Sequence, residues 1–212
     1  MKHAETVTFG GSALDRAAEL RVDAAAVEAA RSDPAARAVV FWRGKPLISR
    51  ERPAALLRLP MDHPVLQLAE PDPILLGRED GAARFGFDVS IWEPDGLDHA
   101  QLGGFLDPSE QTHPDLETGQ VFAELRHVMT WLSPRDAELA ATGKAIIGWH
   151  DTHQFCARCG TRSDITQAGW QRICPACKAS HFPRTDPVVI MLITRGNSVL
   201  MGRSPGWPDG MY

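Results

Sequence analysis

The chain has 212 residues, 43% of them hydrophobic, and a formal net charge of -5. A chain of this length can bury a core without disulfide or metal staples, and its acidic total argues against a general nucleic-acid binder, which carries a basic footprint. No segment approaches the roughly 20 apolar residues needed to span a bilayer, and Met1 to Gly11 holds no apolar stretch of the signal-peptide kind, so the expected setting is the cytoplasm with no membrane partner.

In chain order, Asp23 is placed to cap a helix over 24–31, which must stop before Pro34 because proline cannot continue it. Ala38 to Trp42 and Pro46 to Ser49 are short apolar runs on either side of Arg43-Gly44-Lys45, the pattern of a hairpin around a glycine turn. Ile74 to Leu76 and Arg84 to Ser90 repeat that pattern around Gly77 to Gly81, with Phe85, Phe87 and Val89 alternating as in a half-buried strand. Together these runs predict an antiparallel sheet. Trp92 to Gly119 is rich in Pro, Gly, Asp and His without periodicity and reads as a long irregular connection. Ser133 can then cap a helix that opens with Pro134, whose missing N–H costs nothing at the first position, while Asp136 favours the positive end of the dipole. This helix should reach about His150, offering Leu139, Ile146 and Trp149 as an apolar face. Gly143 weakens its middle by about 1 kcal/mol relative to alanine. It reads as a packed connector into the cysteine-bearing segment.

All four cysteines fall between Cys156 and Cys177 as two Cys-x-x-Cys pairs, Cys156/Cys159 and Cys174/Cys177, with 14 residues between the pairs. A two-residue gap lets one tight turn aim both sulfurs at a single ion, and Gly160 can take the left-handed conformation that such a turn needs. Four thiolates close a tetrahedron and leave no open position for water, so the spacing predicts one structural zinc ion rather than a catalytic one. A redox dithiol is the competing reading of Cys-x-x-Cys. Two such pairs, without a thioredoxin-like strand–helix pattern around them, disfavour it. His150, His153 and His181 stand close enough in sequence to substitute as ligands, although four cysteines suffice. From Asp151 to Thr185 five basic residues, Arg158, Arg162, Arg172, Lys178 and Arg184, face two acidic ones, Asp151 and Asp164. This local excess is either the solvated surface of a zinc module or an attraction for a phosphate-bearing ligand.

From about Ser133 onward, Trp149, His153, Cys156-Ala157-Arg158-Cys159-Gly160, Trp170, Cys174-Pro175-Ala176-Cys177, His181-Phe182-Pro183-Arg184 and Asp186-Pro187-Val188-Val189-Ile190 stand in an order and spacing that resembles the NAD(H) pyrophosphatase branch of the Nudix hydrolases. Upstream, Phe9 to Arg16 and Trp42 to Leu47 look like that family's N-terminal domain. The resemblance implies an α+β fold: an N-terminal mixed α/β domain with an antiparallel sheet over 1–132, a connecting helix over 133–152, a four-cysteine zinc ribbon over 153–185, and the opening β-hairpin of a Nudix domain over 186–212. It also implies hydrolysis of the pyrophosphate of NADH or NAD to nicotinamide mononucleotide and AMP, activity toward NAD-capped RNA, Mg or Mn ions held by glutamates, and a homodimer. Arg126 and Phe182 occupy positions that contact nucleotide in the family, the latter without the hydroxyl of the usual tyrosine. Gly169 stands where some relatives carry a substrate-contacting glutamate.

The family's catalytic signature is absent. Arg-Glu occurs only at Arg50-Glu51 and Arg78-Glu79, and adjacent glutamates occur nowhere. Tyr212 falls just where the signature should begin, so the expectation is a chain truncated before it and inactive alone, with no catalytic residue of its own. The alternative expectation is a non-catalytic zinc-ribbon module that binds nucleic acid or protein, in which Arg158, Arg162 and Arg172 contact phosphates.

Overall fold

The computed structural model describes residues 8–10, 12–51, 53–69, 72–97, 107–186, 191–203 and 210. Helix α1, Ala24–Arg31, begins where expected, with the Asp23 carboxylate accepting from the amides of Ala25 and Ala26. Strands β1, Arg37–Trp42, and β2, Lys45–Ser49, form the first hairpin. Its turn residues Arg43 and Gly44 both have positive φ, 48° and 74°, the paired left-handed geometry whose twist matches that of the flanking strands. After the short β3, Ala55–Leu56, the second hairpin pairs β4, Ile74–Glu79, with β5, Ala82–Asp88.

This second hairpin turns at Asp80 and Gly81, later than the glycine pattern suggests. Gly77 sits inside β4, at an irregularity in the register, with φ of 148°. A Cβ there would fall 2.3 Å from the Asp15 carbonyl, to which the next amide, that of Arg78, donates at 2.7 Å. This glycine therefore serves a close backbone approach within a strand and not the turn.

The six strands run in the order β3-β2-β1-β5-β4, with β6, Gln120–Phe122, pairing on β2. All of these pairs are antiparallel except β1 with β5, which is parallel and joins the two hairpins. Alternate strand residues feed two faces. Val39, Phe41, Ile48, Ile74 and Leu76 pack under the later helices, whereas Val40, Trp42, Leu47, Leu75 and Phe85 build a second cluster on the opposite side.

The 92–119 connection holds no helix or named strand among its described residues but is anchored. Lys45, expected in the turn, instead opens β2 and is only 3% exposed. Its Nζ lies 2.8 Å from Asp107 Oδ2 and 2.7 Å from the Ser109 carbonyl. His113 packs edge-on against Trp92 at 4.7 Å between ring centres.

After the single-turn α2, Leu125–Val128, helix α3 runs Pro134–Thr152, capped by Ser133 Oγ accepting from the Asp136 amide. Ala137, Leu139, Ala140, Ile146 and Ile147 enter the first cluster. Asp136 pairs with Arg58 at 2.6 Å. Arg58 and Arg84 both bind Glu79, and although burial pushes this carboxyl up, the two guanidinium groups hold it down to about 2.

Beyond α3, β7, Asp164–Thr166, β8, Gln171–Ile173, and β9, Ser180–His181, form a three-stranded antiparallel sheet. The chain then forms a hairpin of β10, Thr194–Arg195, and β11, Ser198–Val199. Of the Nudix hairpin expected over 186–212, residues 187–190, 204–209 and 211–212 lie outside the described residues. No helix among the described residues is long and apolar enough to cross a membrane.

Gly143 has a role the sequence hides. A Cβ there would lie 2.3 Å from Cζ of the fully buried Phe41 ring, so the helix meets the sheet at this point only because the side chain is absent. Gly148, five residues on in the same helix and exposed, has nothing within 4 Å. Opposite signs follow for one substitution. Gly143→Ala should destabilise the fold by about 1–3 kcal/mol through overpacking, and Gly148→Ala should stabilise it by about 1 kcal/mol through helix propensity, both read from chemical denaturation midpoints at unchanged slope.

Candidate metal centre and the cleft beside it

Two knuckles of the same construction bring the cysteines together. In the first, the Cys156 amide donates to the Thr161 carbonyl, the Gly160 amide donates to the Cys156 carbonyl, and Gly160 has φ of 76°. In the second, the Cys174 amide donates to Ala179, the Lys178 amide donates to Cys174, and Lys178 has φ of 60°. The Arg158 and Cys177 amides each donate to a cysteine sulfur at 3.4 Å, which stabilises negative charge on it.

All four sulfurs lie within 4.8 Å of one another, with Cys156 to Cys177 at 3.6 Å and Cys159 to Cys174 at 3.4 Å. These separations are far too long for disulfide bonds, about 2.05 Å. They approach the edge of a tetrahedron with Zn–S near 2.3 Å, about 3.8 Å. The donors therefore fit a tetrahedral zinc ion. Hydrogen bonds from the Thr161 side chain and amide hold the Cys159 thiol down to about 6. At Cys177 the Ala179 amide pulls downward, but burial and the neighbouring thiols push it up to about 11. Thiols this close do not all ionise unless a cation supplies compensating charge.

Each nearby histidine has a distinct place. His181 Nε2 lies 3.3 Å from the Cys156 sulfur, outside the set of four. His153 pairs with the Thr152 hydroxyl at 2.8 Å and lies beside Trp149. His150 joins α3 to the ribbon: its Nε2 is 2.8 Å from the Gly169 carbonyl and its Nδ1 is 3.0 Å from an Arg172 nitrogen. Since arginine only donates, Nδ1 accepts and Nε2–H donates, which fixes one neutral tautomer.

Arg172, expected on a basic surface, is 4% exposed. It binds Ser163 Oγ at 2.9 Å and the Ser163 carbonyl at 2.7 Å besides His150. Its charge is spent on internal hydrogen bonds and is not presented to a phosphate. Arg158 and Arg162 remain exposed. Gly169 has φ of 92°, and a Cβ would meet Ile74 Cγ1 at 2.8 Å, so a glutamate has no room at this position without moving the ribbon.

Between the 16–21 segment, the second half of α3 and the ribbon lies a cleft of about 970 Å³. Phe182, 58% exposed, lines it together with Trp149, Trp170 and His153. Arg126 does not: it sits exposed on α2, its amide capped by the Glu124 carboxylate at 3.4 Å. The two predicted nucleotide contacts thus lie on different parts of the chain. Arg21 enters the cleft without any local motif to announce it. Only the approach of segments distant in sequence brings it there.

Residues 35–149 match the family model described as an NADH pyrophosphatase-like rudimentary NUDIX domain. Residues 151–182 match the model described as an NADH pyrophosphatase zinc ribbon domain. The Homo sapiens protein named NAD(P)H pyrophosphatase NUDT13, mitochondrial, is 35% identical over 144 residues, covering 66% of this chain and 38% of that protein. NAD-capped RNA hydrolase NudC of Stutzerimonas stutzeri is 35% identical over 137 residues, 65% of this chain and 42% of its own length. NAD-capped RNA hydrolase NUDT12 of Homo sapiens is 27% identical over 231 residues, 96% of this chain and 50% of its own length. The chain thus spans half or less of the length of these relatives.

The latch at His150 carries a pH dependence. Burial holds its imidazole below the ordinary range; the Gly169 carbonyl opposes that shift and the Arg172 charge adds to it. With the folded value depressed, its contribution to stability is complete above the unfolded value near 6.5 and is lost as pH falls through the folded value. Thermal melts between neutral and mildly acidic pH should show the wild-type chain losing more stability than His150→Gln, whose amide can still donate to Gly169 but takes up no proton.

Proposed function

Because this chain belongs to the NADH pyrophosphatase family of Nudix hydrolases, with that family's rudimentary domain over residues 35–149 and its ribbon over 151–182, we propose that it serves an NAD(H) diphosphatase. The reaction cleaves the pyrophosphate of NADH or NAD to nicotinamide mononucleotide and AMP, and NAD-capped RNA is a substrate of the same chemistry. The single observation that carries this reading is the collinear match of both domains. The geometry agrees with it, since a four-thiol centre sits beside a cleft with an exposed aromatic ring.

In this reading the zinc held by Cys156, Cys159, Cys174 and Cys177 is structural. Four sulfur ligands leave it no position for water or substrate. Its ligands need a reducing compartment, which suits the cytoplasm. Phe182 offers its ring for stacking on a base or nicotinamide, and Arg126 a guanidinium for a phosphate oxygen. Hydrolysis itself requires Mg or Mn to activate water and neutralise the leaving phosphate, and the enzyme would act as a homodimer. The 212 residues contain no adjacent pair of glutamates to hold those ions. The alternative, a ribbon that binds nucleic acid without catalysis, is weakened by the burial of Arg172.

The 212-residue chain, supplied with Mg or Mn, should therefore release no nicotinamide mononucleotide from NADH at an enzyme-like rate when products are separated by chromatography. Turnover by this chain would show that residues other than paired glutamates activate the water, and would overturn the assignment of chemistry to the missing signature.

A further inference from the structure

We propose that the sulfur cluster is also a modification site for hydroperoxides, in which Cys159 is oxidised first and Cys174 resolves it into a disulfide joining the two knuckles. This chemistry rests on the four-thiol zinc centre and is independent of the diphosphatase reading, because it involves the sulfurs alone.

The four sulfur ligands are unequally reachable. Cys156 and Cys174 are buried, at 3% and 0% exposure, and Cys177 is half-buried. Cys159 is exposed, and so are its neighbours Ala157, Arg158 and Gly160. A small solute arriving from water therefore meets this sulfur before the others. The charge around it has one sign. Arg158 and Arg162 are both exposed, and no acidic residue stands between Gln154 and Ser163 in the sequence. An exposed thiolate in electropositive surroundings is the setting in which cysteine reacts.

The choice of resolving thiol follows from the sulfur positions. Cys159 lies 3.4 Å from Cys174, and Cys156 lies 3.6 Å from Cys177, so the close pairs run between the knuckles. A disulfide bond is about 2.05 Å long, and closing either pair moves the sulfurs together by roughly 1.5 Å. Cys156, the other thiol of the first knuckle, already faces the Arg158 amide at 3.4 Å and the His181 ring at 3.3 Å.

In the first step the Cys159 thiolate attacks one oxygen of hydrogen peroxide. An S–O bond forms, the O–O bond breaks, and the departing hydroxide takes up a proton and leaves as water. In the second step the Cys174 thiolate attacks the sulfenic acid so formed. An S–S bond forms, the S–O bond breaks, and a second hydroxide leaves as water after protonation. Two thiolates, one peroxide and two protons thus give one disulfide and two waters, the sulfurs losing the two electrons that the peroxide gains. Withdrawing two of four ligands frees the ion. Cys156 and Cys177 then remain as a pair to consume a second equivalent. Since each new bond ties one knuckle to the other, the thiols stay neighbours, and reduction in the presence of zinc rebuilds the centre.

The zinc-loaded 212-residue chain, treated with one equivalent of hydrogen peroxide beside a chromogenic zinc indicator, tests the proposal, with disulfides mapped by mass spectrometry after free thiols are blocked. About one zinc per chain should be released, at a rate proportional to peroxide concentration, and Cys159 to Cys174 should be the first bond formed. Dithiothreitol with added zinc should restore the metal content. In Cys174→Ser the sulfenic acid should persist, and dimedone should label Cys159 at least about tenfold more than any other cysteine. Zinc retained under excess peroxide, zinc loss at a rate independent of peroxide, or a first disulfide within one knuckle would overturn the assignment in the wild-type chain, whatever the variant does. A chain that carries no zinc before peroxide is added would contradict the metal centre and this chemistry with it. None of these outcomes involves hydrolysis, so the diphosphatase reading stands or falls separately.

Discussion

Four sulfur atoms within 4.8 Å of one another are the constraint on which the chain beyond α3 depends. The ribbon has almost no apolar core. Its strands are two or three residues long, and its buried residues are Cys156, Cys174, Ser163, Gly169, Gln171 and Arg172. Isolated strands of this length do not persist in water. A cross-link at the sulfurs replaces the missing hydrophobic burial, as in small metallodomains where binding free energy is folding free energy. The left-handed residues at Gly160 and Lys178 make sense on the same ground: each turns the chain so that two sulfurs of one pair face one point.

Helix α3 transmits that constraint to the rest of the molecule. One side of it lies on the sheet, close enough at Gly143 that Phe41 fills the space of a side chain. Its last turns meet the ribbon through His150, Gly169 and Arg172. The Trp170 indole then reaches the Leu75 carbonyl of β4, and the Arg21 guanidinium covers Trp170. Sheet, helix and ribbon therefore share one set of contacts, and the cleft is the gap between them. A loosened metal centre would open the cleft before it disturbed the sheet, because the two hydrophobic clusters of the N-terminal domain do not include the cysteines.

What the sequence made legible was local. Cys-x-x-Cys spacing, the Asp23 and Ser133 caps and the first glycine turn each state their geometry within a few residues, and each stands in the structure. The misread residues are those whose meaning depends on a distant partner. Gly77 looks like a turn because only Asp15, far upstream, reveals the close approach. Gly143 looks like a defect because Phe41 is needed to explain it. Lys45 looks like a turn residue and Arg172 like surface charge because composition carries no information about burial, and the partners that accept them, Asp107 with Ser109 and Ser163 with His150, lie outside their own elements. The cleft itself was invisible for the same reason: Trp149, Trp170 and Phe182 belong to one sequence match, but nothing local says that they and the distant Arg21 line one space.

Everything beyond α3 turns on the ligands of one zinc ion: four cysteine thiolates, with no histidine in place of any of them. Zinc-edge X-ray absorption on protein purified without chelator measures the first coordination shell directly. The expected result is four sulfur scatterers at about 2.3 Å and no imidazole contribution, with about one zinc per chain. A fit requiring nitrogen at about 2.0 Å would place His181 or His153 in the shell. That result, or a metal content well below one per chain, would rule out a four-cysteine zinc centre.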